Sequence, residues 1–276
     1  MNTTEINGFQ IDKFNQYNLN VGKQEGICPL CSADRKPINQ KKKCASYDWE
    51  RGLGTCHNCH EVFQLHTFKR KGNTNKIYNK PKQIANPLLS DKVIKWFEKR
   101  GISNNTLIKM KITEGKEFMP QTGKEENTIQ FNYFINNELI NIKYRDGKKN
   151  FKLVKGAEKV FYNIDSTIGH DYVVIVEGEI DALSFIDAGV HSVVSVPNGA
   201  TVTGTNLDYL DSCIDYFEGK EKIIIAVDKD EAGENLRQEL IRRLGAETCY
   251  TVDFGDYKDA NEFLVGNGRN MLSSLI

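Results

Sequence analysis

The stretch VVIVEGEIDALS, residues 173–184, decides the fold class of this chain. Its short apolar run ends abruptly at Glu177, and the following EIDALSFIDAG has helical spacing and closes at Gly189. A second helical segment is ENLRQELIRRLG, residues 234–245. Three more buried strands are predicted in HSVVSVPNGA (191–200), in KIIIAVDKDEAG (222–233), where the strand ends at Asp228, and in ETCYTVDF (247–254). Strands that alternate with helices predict an α/β domain with a mostly parallel four-stranded sheet flanked by helices.

Carboxylates follow two of these predicted strands. Glu177 ends the first strand, and Asp228 and Asp230 follow the third. Functional groups of an open α/β sheet gather at the carboxyl ends of its strands, so these acids are expected to converge. Like charges in one cleft are costly unless a cation neutralises them, and oxygen ligands favour Mg²⁺ or Mn²⁺. The pattern predicts a metal-dependent phosphoryl- or nucleotidyl-transfer site, to which Asp259 in YKDANE would add a fourth acid.

Each acid taken alone has a simpler explanation. Glu179 and Asp181 could face solvent or cap the first turn of a helix, and Asp230 could be a helix N-terminal charge. The combination of a strand followed by Glu-Gly and a strand followed by Asp-x-Asp is what favours a metal site over these explanations.

Upstream, residues 88–170 contain both helical and strand-like hydrophobic patterns. LLSDKVIKWFEKRGIS (88–103) predicts a helix with Ser90 as N-cap and Gly101 as its stop. TIQFNYFINNELINIKYRD (128–146) predicts strand–turn–strand around Asn136-Asn137, and GKKNFKLV (147–154) predicts a further strand. The residues expected to share one face of the helix are Leu88, Val93, Trp96 and Phe97.

Four of the seven cysteines form two CxxC pairs, Cys28 with Cys31 and Cys56 with Cys59, separated by 24 residues. Two such pairs can place four thiolates around one zinc ion, and the segment between them forms a small ribbon. Because a ribbon has little core, metal binding would supply much of its folding free energy. Ligand sets in which Cys44, His57 or His60 replaces a cysteine are the less favoured alternatives, and Cys213 and Cys249 are expected to be buried packing residues.

The ribbon also suggests a reader of unpaired bases. Lys41, Lys42 and Lys43 form a basic run, with Arg51 just beyond it, and the flat rings nearby are those of Tyr47, Trp49 and His57. Basic groups hold phosphates while rings stack on bases, so the ribbon is a candidate for template recognition through Trp49 and His57. The alternatives are a core position for Trp49 and a solvated loop for the lysines.

The formal net charge is zero but unevenly distributed. By count, residues 1–83 carry 14 Lys/Arg against 7 Asp/Glu, residues 84–170 carry 15 against 10, and residues 171–276 carry 8 against 20. The basic front half can hold a polyanion, and the acidic rear third attracts divalent cations. No apolar run approaches the ~18 residues that a membrane helix needs, and the N-terminus lacks the pattern of a secretory signal, so a cytoplasmic protein without membrane partners is expected.

Several motifs resemble one known family. VVIVEGEIDALS, IIIAVDKDEAG and YKDANEFL, in this order and spacing, resemble a Toprim domain, and more closely the primase half of the phage primase-helicases and their Twinkle-like relatives. FEKRGISNNTL and IKYRDGKKNFKLV are similar to the basic N-terminal part of that family's RNA-polymerase domain, PNGA to its glycine-bearing loop, and the CxxC pairs to its zinc ribbon. The resemblance covers about residues 26–268.

The resemblance implies specific roles. Glu177 would be the catalytic glutamate near the attacking hydroxyl, and Asp228, Asp230 and, as a further acid, Asp259 would hold the catalytic metals. Nucleotide phosphates and template would be bound by Lys143 and Arg145, and by Lys149 in the same segment. Residues 141–159 carry seven Lys/Arg against two acids, which suits such a role, although a solvated hairpin is the alternative.

The expected function is that of a DNA primase that makes short RNA primers on single-stranded DNA. It would use structural zinc, catalytic Mg²⁺ or Mn²⁺ and ribonucleoside triphosphates. The Walker A loop GxxxxGK[ST] is missing, so a replicative helicase would act in trans or as the other half of a longer protein. The alternatives are a Toprim nuclease or topoisomerase-like enzyme, for which Tyr250 and Tyr257 are poor nucleophile candidates, and a non-catalytic DNA-binding module.

The expected domain organisation has four segments. A zinc-binding ribbon occupies residues 1–70 and a flexible linker, rich in Asn, Lys and Pro, occupies 71–87. A basic α+β subdomain of the RNA-polymerase domain would span 88–170, and the Toprim catalytic domain 171–276. The abundance of Asn, Lys and Ile hints at an AT-rich genome, such as that of a phage acting in its host's cytoplasm.

Overall fold

The computed structural model describes residues 3–6, 9–12, 23–48, 53–60, 62–65, 77–81, 88–199 and 207–276. The chain divides into two compact units, residues 1–70 and 71–276. The finer boundaries at residues 87 and 170 remain predictions. No helix among the described residues is long and apolar enough to cross a bilayer.

The first unit is a small antiparallel β structure. Its strands are β1 (Thr3–Ile6), β2 (Phe9–Asp12), β3 (Lys23–Gly26), β4 (Ala45–Asp48), β5 (Leu53–Cys56) and β6 (Val62–Gln64). A hairpin pairs β1 with β2, and the other four form a sheet in the order β3-β4-β5-β6. The first three strands lie where the sequence has no clear period, so the sequence analysis missed them. The sheet buries only a small cluster, in which the ring of Tyr47 packs edge-on against that of Phe63 at 5.8 Å.

The second unit begins with two helices and an antiparallel sheet. The elements are α1 (Asp91–Glu98), α2 (Asn104–Lys109), β7 (Thr113–Met119), β8 (Lys124–Ile135), β9 (Glu138–Asp146) and β10 (Phe151–Leu153). The sheet order is β10-β9-β8-β7. The predicted turn is confirmed, because Asn136 and Asn137 both have positive φ, 51° and 64°, as a two-residue type I′ hairpin requires. Helix α2 and strand β7 were not predicted.

The predicted helix α1 is present, with Ser90 at its N-cap and Gly101 in the left-handed conformation after its end. Phe97 is fully buried, and Val93 and Trp96 are partly buried against the core. The assignment of Leu88 to this face is wrong. Leu88 is 87% exposed because it precedes the helix and so does not share its period.

The rest of the second unit is the predicted α/β domain. Its elements are β11 (Tyr172–Val176), α3 (Glu179–Asp187), β12 (Val193–Ser195), α4 (Asp208–Cys213), β13 (Lys222–Ala226), α5 (Glu231–Leu244), β14 (Cys249–Thr251), α6 (Ala260–Asn267) and α7 (Arg269–Ser273). The four strands are all parallel, in the order β12-β11-β13-β14. The fold class is confirmed, although β13 ends at Ala226, two residues before the predicted end at Asp228. The central strands are buried on both faces, as a parallel sheet covered by helices requires.

Two groups of polar contacts connect separate segments of this unit. Asp187, at the end of α3, accepts hydrogen bonds from the backbone N–H and hydroxyl of Ser103 and from the hydroxyl of Thr106 on α2, and it pairs with Arg269 on α7. In the segment predicted as a linker, Asn79 donates two hydrogen bonds just beyond β10, from its backbone N–H to the carbonyl oxygen of Gly156 and from its side-chain amide to that of Lys155. Asn79 therefore connects this segment to the turn that follows β10.

Candidate active-site cleft and metal centre

The four cysteines of the two CxxC pairs come together in the first unit. Their sulfur atoms all lie within 4.8 Å of one another, with Cys28 Sγ 3.8 Å from Cys59 Sγ and Cys31 Sγ 3.8 Å from Cys56 Sγ. Sulfur atoms at the corners of a tetrahedron with Zn–S bonds of ~2.3 Å are about 3.8 Å apart. The arrangement therefore fits a four-coordinate metal ion.

Backbone N–H groups support the sulfur atoms. Leu30 N donates to Cys28 Sγ at 3.3 Å, and Asn58 N and Cys59 N donate to Cys56 Sγ at 3.3 and 3.4 Å. Burial opposes ionisation of Cys56, but the N–H groups of Cys59 and Asn58 hold the pKa of its thiol at about 6. Such outer contacts orient metal ligands and favour the thiolate form. Burial raises the pKa of Cys28 to about 11 and that of Cys31 to about 12, so a metal cation is needed to hold these two as thiolates.

The alternative ligands stay outside this cluster. The metal-binding set contains neither Cys44, His57 nor His60. His57 is exposed, and its ring bonds the hydroxyl of Ser46 at 2.7 Å. Tyr47 is 4% exposed in the core of the ribbon, so its expected role as a stacking ring is wrong. Trp49 and Arg51 lie outside the described residues, and the three lysines at 41–43 are exposed.

In the second unit, a cleft of about 760 Å³ opens at the carboxyl ends of the parallel strands. One part of its lining is acidic and another is basic and aromatic. The acidic side is formed by Glu177, Glu179, Asp181, Asp228, Asp259 and Glu262. The basic and aromatic residues of the lining are Trp96, Lys99, Arg100, Phe131, Lys143, Arg145, Lys149, Phe151 and Lys152. Three of the four predicted acids and all three predicted phosphate-binding residues share this cleft.

The acids influence one another. Burial, and then the charges of Asp259 and Asp228, raise the pKa of Asp181 well above its usual value. Burial and the charge of Asp259 likewise raise the pKa of Asp228. Carboxylates that repel each other in a partly buried cleft are stabilised by a cation, so the donor set suits a hard divalent ion.

Asp230 lies to one side of the cleft lining. It is the N-cap of α5, where Gly233 N donates to its Oδ1 at 3.0 Å. The ammonium of Lys258 lies 3.0 Å from Asp230 Oδ2 and 3.3 Å from Asp228 Oδ2. The hydrogen bond from Gly233 and the contact with Lys258 lower the pKa of Asp230, and Asp230 in turn raises the pKa of Lys258. A lysine thus provides the counter-charge between the two aspartates of the Asp-x-Asp pair.

Known proteins resemble this chain in sequence and in fold. Residues 174–264 match the Toprim-like family model. A primase homolog protein of Arabidopsis thaliana is 34% identical over 205 residues, which cover 68% of this chain and 59% of that protein. The chloroplastic/mitochondrial Twinkle homolog of the same plant is 33% identical over 205 residues, 68% of this chain and 28% of that protein. The chain therefore spans less than two thirds of the length of these relatives.

A solved structure completes the comparison. The primase fragment of the bacteriophage T7 primase-helicase superposes with a TM-score of 0.56 over 86% of this chain and 95% of that fragment, at 23% identity. The chain has the fold of a Toprim-containing primase. The family resemblance inferred from the motifs to the primase half of phage-type primase-helicases is confirmed.

The basic wall of the cleft contains a buried ion pair. Lys143 Nζ lies 2.8 Å from Glu179 Oε1, which also accepts a hydrogen bond from the hydroxyl of Tyr133. Lys143 and Glu179 are 8% and 3% exposed, so the charge of the lysine is already compensated within the protein. Arg145 and Lys149, by contrast, line the cleft without a carboxylate partner among the described residues.

Two glycines lie at close approaches beside the cleft. An added Cβ at Gly233 would lie 2.1 Å from the carbonyl oxygen of Asp228, so α5 can pack against the Asp-x-Asp segment only with glycine there. An added Cβ at Gly199, in the predicted PNGA loop, would lie 3.3 Å from Glu177 Oε1. The loop after β12 therefore approaches the glutamate that follows β11.

The sequence analysis missed several residues of the site. Glu179 and Asp181 are buried rather than facing solvent. Lys258, Trp96 and Arg100 had no predicted role in the cleft. Two signals were available: Lys258 directly precedes the predicted ligand Asp259, and Arg100 lies in FEKRGISNNTL, the segment that resembles the basic part of the family's RNA-polymerase domain.

Proposed function

We propose that this chain is a DNA primase that joins ribonucleoside triphosphates into short RNA primers on single-stranded DNA, with the help of divalent metal ions. The observation that supports this most directly is the cleft at the strand ends, where a group of acids faces a basic and aromatic wall within a primase fold. Acids to hold metal and bases to hold phosphate are the two requirements of nucleotidyl transfer.

On the acidic side, Glu177, Asp228 and Asp259 would hold Mg²⁺ or Mn²⁺, with Asp230 beside them. Bound divalent ions would stabilise the negative charge on the attacking and leaving oxygens. Glu177 would orient the 3′-hydroxyl of one nucleotide, or accept its proton, as that hydroxyl attacks the α-phosphorus of the next. Pyrophosphate would then leave. Burial, and then the charge of Asp259, raise the pKa of Asp228, and a bound cation would relieve both effects.

On the basic side, Arg145 and Lys149 would neutralise phosphate charge. Lys143 was expected to share this role, but its ammonium is committed to Glu179. We infer that Lys143 acts through this ion pair, which fixes the β9 wall against the first turn of α3. Its own contact with phosphate would be secondary.

In the ribbon, Cys28, Cys31, Cys56 and Cys59 would hold a structural zinc ion, because the sulfur spacing fits a tetrahedron. The ribbon would select the start site on the template, with the exposed His57 and lysines 41–43 as contacts and Trp49 as a further stacking ring. The partner would be a replicative helicase, in trans or in the same polypeptide, in the host cytoplasm of a phage or mobile element.

The assay is primer synthesis on random single-stranded DNA with labelled ribonucleotides and Mg²⁺ or Mn²⁺. The chain should make short template-dependent RNA, while Glu177→Gln and Asp228→Asn should lose activity by about 10²-fold or more. Glu218→Gln, an exposed change outside the cleft, should behave like the parent. Absence of RNA on every template would contradict the proposal, and equal activity of the two cleft variants would contradict the site.

The same assay separates the alternatives. Metal-dependent DNA cleavage without ribonucleotides would indicate a Toprim nuclease. Binding of single-stranded DNA without either reaction would indicate a non-catalytic module.

A further inference from the structure

One residue of the cleft joins three elements of the second unit. Asn261, in the first turn of α6, donates through its backbone N–H to Asp181 Oδ1 on α3 at 3.1 Å. Both N–H groups of its side-chain amide are used as well. They donate to Ser184 Oγ, also on α3, and to the backbone oxygen of Arg100 just after α1, both at 2.9 Å. The acidic side of the cleft and the end of α1 therefore meet at one side chain, which itself lines the cleft.

The turn after α1 depends on donors from outside the helix. Backbone carbonyls in such a turn have no partner within the helix, and a partly buried one needs a donor from elsewhere. Asn261 supplies the donor for Arg100, and the guanidinium of Arg269 on α7 donates to the next carbonyl, that of Gly101, at 3.3 Å. The position of this turn is therefore set by α6 and α7, the two helices that follow Asp259.

Close packing supports the same contact. Gly101 has a positive φ of 73°, and a Cβ added there would lie 3.2 Å from the side chain of Leu264 on α6. Leu264 is 3% exposed and comes three positions after Asn261, so both lie on the same side of the helix. The turn after α1 thus lies directly against α6, and neither can slide along the other without breaking the hydrogen bond from Asn261.

This contact matters for the proposed reaction because nucleotidyl transfer needs metal and nucleotide in alignment. A misplacement of about 1 Å in such a site can lower the rate by about 10²-fold. Asp259, on the acidic side, is the N-cap of α6, whereas Trp96, in the basic and aromatic part of the lining, belongs to α1. The spacing between these two parts of the cleft therefore depends on how α6 is joined to α1.

We propose that Asn261 is a positioning residue that fixes the distance between the metal-side acids of the cleft and the end of α1. It acts through the backbone oxygen of Arg100 and the carboxylate of Asp181, not by touching the reacting groups. Its purpose, the alignment of metal and nucleotide, rests on the proposed function. In the motif YKDANE only Asp259 had a predicted role, so the structure adds Asn261.

The first test measures this distance in the full-length, zinc-loaded chain without any synthesis. The chain has two tryptophans, and fluorotryptophan labelling gives two fluorine NMR lines, of which Trp96→Phe identifies the one from α1. Mn²⁺ bound by the acids broadens the Trp96 line according to its distance, and Mg²⁺ provides the reference without broadening. Loss of the broadening in Asp228→Asn shows that the ion is bound at the acids.

Four variants separate the contacts. Asn261→Ala removes both side-chain contacts and should reduce the broadening of the Trp96 line, because α1 is no longer held toward the acids. Asn261→Asp has the same size but places an acceptor against the oxygen of Arg100, and should reduce it as well. Ser184→Ala leaves that contact in place and should match the parent. Asn267→Ala, an exposed change at the other end of α6, is the matched control and should also match the parent.

The second test separates positioning from binding. In primer synthesis at saturating metal, Asn261→Ala should lower kcat by about tenfold or more and leave the KM for ribonucleotides within about twofold, because alignment is lost while binding is kept. Asn267→Ala should keep both values. Each variant is assayed well below its own melting temperature, so that an unfolded fraction does not contribute to the loss.

Parental broadening in Asn261→Ala would overturn the proposal, as would a Trp96 line that Mn²⁺ does not broaden at all. An equal loss of broadening in Ser184→Ala would overturn the assignment to the oxygen of Arg100. If Asn261→Ala does not fold, Asn261→Ser replaces it under the same criterion, because its hydroxyl has a single proton to donate.

The two proposals fail separately. A chain that makes no RNA, but in which Asn261→Ala reduces the broadening, keeps the positioning role and loses the proposed function. A chain that makes RNA, and in which Asn261→Ala has parental kcat and parental broadening, keeps the proposed function and loses the positioning role.

Discussion

The ribbon and the cleft each contain a cluster of side chains that can be anionic metal ligands, but the two clusters differ in how closely their ligand atoms are spaced. The four cysteine sulfurs all lie within 4.8 Å of one another, and in the described part of the chain no other set of three or more Cys, His, Asp or Glu side chains is as compact. The acids of the cleft are further apart, and Lys258 stands between Asp228 and Asp230. A closed tetrahedral set suits a structural ion, whereas an open carboxylate set suits an ion shared with water and substrate.

The two regions also differ in what stabilises them without metal. The buried cluster of the ribbon consists of a few residues, including two of the cysteines themselves. The second unit buries an extended core that runs from α1 through the parallel sheet to α7. We therefore expect the ribbon to fold only with its metal bound. The second unit should fold without metal and need it only for activity.

The largest expected effect is that Cys56→Ser, which removes one of the four metal ligands, leaves the ribbon unfolded. Structural zinc contributes about 10 kcal/mol or more of folding free energy in comparable small modules, far more than so small a core can replace. Metal analysis should find zinc in the parent and none in the variant, and limited proteolysis should cut within residues 23–65 of the variant only.

Cys44→Ser is the matched control for this change. Cys44 packs against the same cluster, with its sulfur 3.9 Å from the hydroxyl of Ser32, yet it is not one of the four ligands. It should keep its zinc. Loss of zinc from this variant, or retention by Cys56→Ser, would show that the ligand set is assigned wrongly.

A smaller but still severe effect is expected for Gly233→Ala in the second unit. The new Cβ would lie 2.1 Å from the carbonyl oxygen and 2.9 Å from the carbonyl carbon of Asp228, and backbone cannot yield as a side chain does. Overpacking of this kind costs about 3 kcal/mol. Thermal unfolding should detect the loss of stability, and Mn²⁺ binding should weaken because Asp228 moves.

Gly147→Ala is the control, because an added Cβ there has no atom within 4 Å, and it should leave stability unchanged. A Gly233→Ala variant as stable as the parent would show that α5 can shift to make room for the methyl group.

The next effect concerns Asp187, which ties α2 and α7 to α3. Asp187→Asn should cost about 2 kcal/mol, since hydrogen bonds to a buried charge are lost. Burial alone would raise the pKa of Asp187, but hydrogen bonds from Ser103 and Thr106 and the contact with Arg269 lower it. Its stabilising effect is therefore complete above the unfolded-state pKa and is lost as the pH falls through the lower folded-state value.

The measurement for Asp187 is the difference in melting temperature between parent and Asp187→Asn across pH. The difference should be full at neutral pH and shrink below about pH 4, near the ordinary pKa of an aspartate. The exposed change Asp256→Asn should show no such difference at either pH. A difference that grows on acidification would contradict the role assigned to Asp187.

The sequence predicted those features that depend on local pattern. The parallel strands appear as apolar runs bounded by glycine, and the cysteine cluster follows from two CxxC pairs, so both were found. Features that depend on distant contacts were missed. The guanidinium groups of Arg100 and Arg145 both lie over the ring of Trp96, although the two arginines are 45 positions apart in the sequence. A contact between such distant residues leaves no periodic pattern in the local sequence.

Burial of single polar residues was equally hidden. Asp181 occupies the first turn of a helix, where an acid is ordinarily exposed, and only the packed fold shows that Asp259 and Asp228 surround it. Strand β3 lies in polar sequence with no apolar period, so its pairing with β4 is a property of the tertiary structure. Strands β1 and β2, by contrast, flank Asn7-Gly8, a two-residue hairpin signal that was overlooked in the sequence.

The smallest expected effect tests whether Lys258, beside the cleft, competes with metal for the two aspartates. Lys258→Met removes the ammonium between Asp228 and Asp230, so a divalent ion no longer has to displace it. Because this contact is half-exposed and worth about 1 kcal/mol at most, Mn²⁺ affinity, measured by electron paramagnetic resonance, should rise only a few-fold. Lys229→Met, which breaks the neighbouring pair with Asp253, is the control and should leave Mn²⁺ affinity unchanged. If Lys258→Met bound Mn²⁺ more weakly than the parent, the lysine would be holding the two aspartates in position for the metal. The acids of the cleft would then be a preorganised ligand set, as the four cysteines of the ribbon are.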